Sequence, residues 1–205
     1  MPGSPSVTAI ILSYNQARFL AESLRSVQDQ TRPPDHVVID DDCSTDGSQA
    51  ILQSWVKEHR PDAVVRLHEV NCGASATLNE AFALSTGELI APLAADDFWL
   101  PHKLAVQVSQ LERSDPTVGV LYGDVPRVCE EGVVLSESFI DHYRPAGFDS
   151  TRSAFAELLR GNFIASPSVL LRRSCWDRVG GVDESLYMED WDFWLRVAHA
   201  GFAFS

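Results

Sequence analysis

Basic residues are scarce in this chain, with 16 Lys and Arg against 29 Asp and Glu, a formal net charge of -13. That balance excludes a nucleic-acid partner, because displacing counterions from a phosphate backbone takes clustered cations. Cysteine is also thin. The four present, Cys43, Cys72, Cys129 and Cys175, form no C-x-x-C pair, which excludes cysteine-pair zinc and dithiol motifs and predicts four free thiols in a reducing compartment. No apolar run has membrane-spanning length. The Met-Pro-Gly-Ser-Pro start has neither the basic region nor the apolar stretch of a signal peptide, so the expectation is a cytoplasmic chain with no transmembrane segment. Internal repeats and low-complexity tracts are absent too.

What is present is a globular composition, 45% hydrophobic and 22% charged over 205 residues, enough for one substantial core and one domain spanning 1-205. Val7 to Ser13 is a short apolar run ending in Ser13-Tyr14-Asn15, as a buried parallel strand ends. Phe19, Leu20, Leu24 and Val27 then recur at helical spacing until Pro33-Pro34 stops the helix. A second buried strand at Val37-Val38-Ile39 leads into an acidic turn, and Ile51, Leu52, Trp55 and Val56 mark the next helix. The alternation continues with strands at Val64 to His68, Glu88 to Pro92 and Val118 to Tyr122, and helices from about Ser75 to Leu84 and Pro101 to Ser114. This pattern predicts an α/β fold with a doubly wound, mostly parallel sheet and helices on both faces.

Beyond Tyr122 the pattern changes. Val125 to Cys129 and Val133 to Glu137 read as a hairpin, Ala154 to Leu159 as a helix, Ser168 to Leu171 as a strand and Asp190 to His199 as an apolar-faced helix. The chain stops at Gly201-Phe202-Ala203-Phe204-Ser205, where another strand opens, so a longer natural protein is expected. In doubly wound sheets, ligands bind beyond the carboxyl ends of the strands. Here those exits carry Ser13-Tyr14-Asn15, Asp41-Asp42-Cys43-Ser44, Asn71-Cys72-Gly73 and Ala95-Asp96-Asp97.

Taken in order, Ile11-Leu12-Ser13-Tyr14-Asn15, Val38 to Ser48, Asn71 to Asn79, Gly87-Glu88-Leu89-Ile90, Ala95-Asp96-Asp97 and Glu189-Asp190 strongly resemble the family-two glycosyltransferases of the GT-A type, from about Val7 to Phe202. The resemblance implies a Rossmann-like nucleotide-sugar-binding half over about 7-122 and an acceptor half over about 123-205. It implies nucleotide contacts at Ser13, Tyr14, Asn15, Asp41, Asn71, Gly73 and Asp96, with Tyr14 stacking on the base and Asp41 accepting from a base N-H. Asp46, in the same loop, reads instead as a helix-capping carboxylate.

The resemblance further implies a divalent metal, Mn2+ or Mg2+, held by Asp97 with Asp96 beside it; adjacent carboxylates on a loop are costly to hold together without a cation, and their hard oxygens suit these ions. It also gives Asp190, paired with Glu189, as the base for an acceptor hydroxyl. The implied activity is inverting transfer of a sugar from a nucleoside-diphosphate sugar, UDP-sugar above all, to a glycan or lipid-linked acceptor, with the inner face of the membrane as a place of work. Two departures stand out: Ala94 replaces an aspartate often found before the acidic pair, and Leu78 replaces a basic residue commonly found before the asparagine at 79. They keep open a catalytically degenerate sugar-nucleotide-binding module. A sugar nucleotidyltransferase, the other alternative, would need a Gly-rich loop and a basic residue right after the first strand, where this chain has Ser13 to Ala17. Trp99, Trp191 and Trp194 are candidates for either core or a sugar-stacking wall, while His102, His142 and His199 have no ligand-like spacing.

Overall fold

Strands that are apolar at every position, not at every second one, need cover on both faces. In the computed structural model, which describes residues 3-149 and 152-205, the first, second and fourth strands have that cover, while the third, at the sheet edge, is partly exposed. Met1, Pro2, Ser150 and Thr151 lie outside the described residues. Strands β1 (Val7–Ser13), β2 (His36–Asp41), β3 (Val64–Leu67) and β4 (Leu89–Ala94) alternate with helices α1 (Ala17–Gln28), α2 (Ser48–His59), α3 (Ala74–Leu84) and α4 (Lys103–Arg113). On one face Ala9, Ile11, Val37, Ile39, Ala91 and Leu93 pack with Leu20, Leu24, Leu52, Leu104 and Val108. On the other, Ile10, Val38 and Ile90 pack with Ala81, Phe82, Cys175, Phe193, Trp194 and Val197. Burying each large aliphatic side chain stabilises the fold by about 1.5–3 kcal/mol relative to exposure, so the sheet centre dominates stability.

The second half holds β5 (Val118–Leu121), the hairpin β6 (Pro126–Val128) and β7 (Val134–Ser138), α5 (Phe139–Tyr143), α6 (Ala154–Leu158), a 3-10 turn at Ser166–Ser168, β8 (Leu170–Arg172), α7 (Arg173–Val179), α8 (Glu189–His199) and β9 (Ala203–Phe204). The main sheet runs β3-β2-β1-β4-β8-β5-β9. Only β8 is antiparallel to its neighbours, β4 and β5, so the sheet is mostly parallel as expected. The strand expected at Ser168 to Leu171 begins at Leu170, because the residues before it close a helical turn. Helices α5 and α7 have no counterpart in the sequence pattern, both being too short to show a helical period; α7 ends on Gly180 in the left-handed conformation at φ +83.

Two features of this topology place the site. β1 is flanked by β2 and β4, so the connections diverge to either side of it and leave a crevice beyond the strand ends, where such sheets bind ligands. The second half is strapped to that crevice. Trp99 Nε1, Gln107 Nε2 and Lys103 Nζ donate to the carbonyls of Pro167, Ser168 and Val169 at 3.0, 2.7 and 2.9 Å. Three donors on three consecutive carbonyls fix the segment that brings Ser166 to the cavity.

Candidate active site

A cavity of about 530 Å³ opens beyond the strand ends. Its walls come from every exit segment of the first half: Ser13, Tyr14 and Gln16 after β1, Asp42 after β2, Asn71, Gly73 and Thr77 around the start of α3, and Ala94, Asp96 and Asp97 after β4. The second half closes it with Ser166, Trp176, Glu189, Asp190 and Phe193. A shallower depression along α4, around His102, Val106 and Arg113, has a single helix as its floor and no carboxylate in its lining, so it offers no comparable chemistry.

The three aspartates after Ile39 separate by strand alternation. Asp41 is fully buried, and its carboxylate accepts from Ser44 N-H and Oγ-H and from Gln49 Nε2 at 2.8, 2.6 and 2.9 Å. Asp41, expected to meet the base, is not part of the cavity lining; the next residue, Asp42, is at the cavity wall. Asp42 accepts from Cys72 N-H at 2.6 Å and Gly73 N-H at 2.9 Å. Asn71 hands its amide N-H to the Asp42 carbonyl at 3.3 Å and lines the cavity.

Gly73 sits at φ +88 and ψ 152, a region open essentially to glycine alone. Its requirement is conformational, since nothing lies within 4 Å of where a Cβ would stand. Tyr14 is half exposed at the cavity mouth, free to lie against a flat ligand. Asn15 is a loop former, outside the cavity lining: at φ +52, its N-H donates to Ser44 Oγ and its Oδ1 accepts from Thr45 N-H, both at 2.8 Å. Asp46 caps as expected, accepting from Ser48 N-H and Oγ-H and, across the loop, from Ala17 N-H.

Asp96 and Asp97 stand side by side in the cavity wall. Asp96 accepts from Gln16 Nε2 at 3.3 Å, whereas among the described residues no donor or cation compensates the Asp97 carboxylate. Burial, and after it the neighbouring charge of Asp96, pushes Asp97 up to about 6. A desolvated, unpaired carboxylate beside a second one fits a hard divalent cation, whose charge would offset both penalties. Ala94 and Leu78 also face the cavity, without ligand atoms to offer.

Asp190, in the first turn of α8, is held from three sides. Oδ2 accepts from Asn162 Nδ2 at 3.0 Å and Ser166 Oγ at 3.3 Å, and Oδ1 from Trp191 N-H at 2.7 Å. Asn162 Oδ1 itself accepts from Ile164 N-H at 3.2 Å, which fixes the amide with its NH2 toward Asp190. Burial chiefly, with the Asp190 charge adding to it, raises Glu189. Such a carboxylate at a cavity wall can take a proton from a hydroxyl.

The tryptophans divide toward packing. Trp99 and Trp194 are core residues, and Trp191 gives its Nε1-H to Leu158 O at 2.7 Å. The aromatic wall of the cavity is instead Trp176, stacked on Phe82 with centroids 3.6 Å apart. Neither it nor Asn162 or Ser166 carried a sequence signal.

This set of strand-exit carboxylates coincides with a family match: the description Glycosyl transferase family 2 fits residues 8–177. The chain belongs to glycosyl transferase family 2. Among curated relatives, this chain is 40% identical over 116 residues to the uncharacterized glycosyltransferase alr2836 of Nostoc sp., covering 57% of this chain and 35% of that protein. It is likewise 40% identical over 111 residues to TuaG of Bacillus subtilis, named for teichuronic acid biosynthesis, covering 54% and 44%. The chain thus matches less than half the length of either.

Among solved structures, the mannosyltransferase PcManGT from Pyrobaculum calidifontis, in complex with GDP-Man and Mn2+, superposes with a TM-score of 0.73 at 24% identity, over 99% of this chain and 55% of that one. S. aureus TarS 1-349 in complex with UDP does so at 0.73 and 22%, over 98% and 57%. At these identities the likeness speaks for the GT-A fold alone. Among the described residues no helix is long and apolar enough to cross a membrane.

Proposed function

We propose that this glycosyltransferase transfers a sugar from a nucleoside-diphosphate sugar, UDP-sugar first, to an acceptor hydroxyl with inversion, in the synthesis of a cell-surface polysaccharide or glycan at the cytoplasmic side. The observation that carries the reading is one cavity that gathers Asp42, Asp96 and Asp97 from the first half and Glu189 and Asp190 from the second. Tyr14, Asp42, Asn71 and Gly73 form the nucleoside end. Asp97, with Asp96, would hold Mn2+ or Mg2+, which when bound supplies positive charge to the departing diphosphate. The UDP complex of TarS, the GDP-Man and Mn2+ complex of PcManGT and the teichuronic acid name of TuaG support a donor, a metal and an acceptor of these classes.

In the step itself Asp190, oriented by Asn162 and Ser166, takes the proton of the acceptor hydroxyl as its oxygen attacks the anomeric carbon. The bond from that carbon to the diphosphate oxygen breaks on the opposite side, and the nucleoside diphosphate leaves with the electron pair. No covalent intermediate on the protein is required.

A second reading, a sugar-nucleotide-binding module without turnover, draws on Ala94 and Leu78, which place no ligand atom where the family often has one. One experiment separates the two. The protein is incubated with Mn2+ and a panel of UDP-, GDP- and dTDP-sugars, with and without glycan acceptors, and released nucleoside diphosphate is quantified. Release with one donor that falls at least about 100-fold in Asp190→Asn, as loss of a general base predicts, supports transfer. Binding of a donor without release under any condition supports the module.

A further inference from the structure

Behind the cavity floor lies a cluster that the transfer reaction does not use. Asp40 lies in β2, His68 follows β3 directly and Glu80 lies on α3. Asp40 is fully buried and the His68 side chain is 7% exposed. Two carboxylates converge on one ring nitrogen: His68 Nε2 is 2.9 Å from Asp40 Oδ1 and 3.3 Å from Glu80 Oε2. All three ligand atoms lie within 4.8 Å of one another.

At these distances His68 is ion-paired with both carboxylates and Arg66 with Glu80, yet among the described residues neither Asp40 oxygen, nor His68 Nε2, nor Glu80 Oε2 makes a well-directed hydrogen bond, and the fully buried Asp40 Oδ2 has no ion-pair contact either. The obstacle is direction. A hydrogen bond from a ring N-H needs an acceptor near the N-H axis and weakens steeply away from it, and neither carboxylate contact of His68 Nε2 qualifies as one. A buried carboxylate oxygen without a hydrogen bond, as Asp40 Oδ2 is, calls for another partner. Ligand atoms around a shared cation are arranged in just this manner, since bonds of about 2.0–2.2 Å at tetrahedral or octahedral angles separate them by about 3 Å.

We infer that Asp40, His68 and Glu80 form a binding site for a divalent transition cation, zinc being the representative, separate from the acidic pair Asp96 and Asp97. One imidazole with two carboxylates is a donor set that zinc accepts. Arg66 Nη2 lies 2.8 Å from Glu80 Oε2 and competes for that oxygen, but its side chain is 46% exposed and free to turn to water. The site would brace the nucleotide pocket. His68 Nδ1 lies 3.7 Å from Cys72 Sγ, and Cys72 N-H is the group that Asp42 holds.

The test is zinc titration of the EDTA-treated full chain by calorimetry, with metal content after gel filtration. It is run on the wild type, Asp96→Ala/Asp97→Ala, His68→Gln, Glu80→Gln and Cys72→Ser, each checked for fold by circular dichroism. One tight equivalent that survives in Asp96→Ala/Asp97→Ala and in Cys72→Ser, and is lost in His68→Gln and Glu80→Gln, is the expected result. Should His68→Gln fail to fold, Glu80→Gln decides alone. Absence of that equivalent from the acidic-pair variant, or its retention in Glu80→Gln, overturns the site. Loss in Cys72→Ser overturns it as well, moving the cation to the opposite ring nitrogen with Asp42 and Cys72.

Discussion

The Asp42 carboxylate holds the Gly73 amide at 2.9 Å, joining the exit of β2 to the start of α3 across the floor of the cavity. Its neighbour Asp41 points away, into a turn closed by Ser44 and Gln49. Adjacent aspartates therefore have separable roles. Asp42→Ala is expected to weaken nucleotide binding about 10- to 100-fold, as for loss of a desolvated charged hydrogen bond of about 1.5–3 kcal/mol. Asp41→Ala is expected to cost about 2–3 kcal/mol of stability by orphaning buried donors. Calorimetry and denaturant melts on the two variants show the split.

Gly73→Ala forces a Cβ into φ +88, ψ 152 and is expected to destabilise the protein by about 1–3 kcal/mol. Because Gly73 N-H belongs to the Asp42 contact, nucleotide affinity should fall as well. Gly132→Ala, at φ +82 in the β6–β7 turn, provides the comparison: similar strain in a melting curve, with nucleotide affinity unchanged.

The raised Asp97 gives a pH signature. Its folded value, about 6, lies above its ordinary 3.8, so its contribution to stability is full below about pH 4 and is lost as pH rises through about 6. Metal-free protein should lose about 2 kcal/mol between pH 4 and pH 8 relative to Asp97→Asn, after allowance for partial exposure. Mn2+ should reverse the loss at high pH and bind progressively more weakly below pH 6, where the proton competes for the carboxylate. Melting temperature against pH, with and without Mn2+, tests both.

Asp190→Asn is expected to leave nucleotide affinity within about 3-fold while reducing product formation at least about 100-fold. Asn162→Ala should fall between the wild type and that variant in turnover, because Ser166 Oγ and Trp191 N-H still orient the carboxylate. Comparing turnover with nucleotide affinity in the same preparations shows whether the loss lies in chemistry or in binding.

Strands β1, β2 and β4 could be read from the sequence because strands covered on both faces leave apolar runs, as in Ala9 to Leu12 and Val37 to Ile39; the edge strand β3 was legible from its paired valines within the alternation. The acidic pair and Glu189-Asp190 were legible as motifs in a fixed order. What the sequence hid was direction. Three consecutive aspartates look alike, yet Asp40 turns under α3 to His68, Asp41 into its own loop and Asp42 to the cavity. Asn162 and Ser166 were hidden for another reason: they are isolated polar residues in an apolar stretch, in a segment held by the packing of Phe163 and Ile164 and by the Trp99, Lys103 and Gln107 contacts to the carbonyls of Pro167 to Val169.

Isothermal titration with UDP, GDP and dTDP, with and without Mn2+, tests most directly whether Asp97 anchors a metal-dependent nucleotide site. The expected result is micromolar binding of one nucleotide, UDP first, that requires Mn2+ and disappears in a folded Asp97→Ala variant. Folded wild-type protein that binds none of the three, or binds equally well without Mn2+ and in Asp97→Ala, would contradict it.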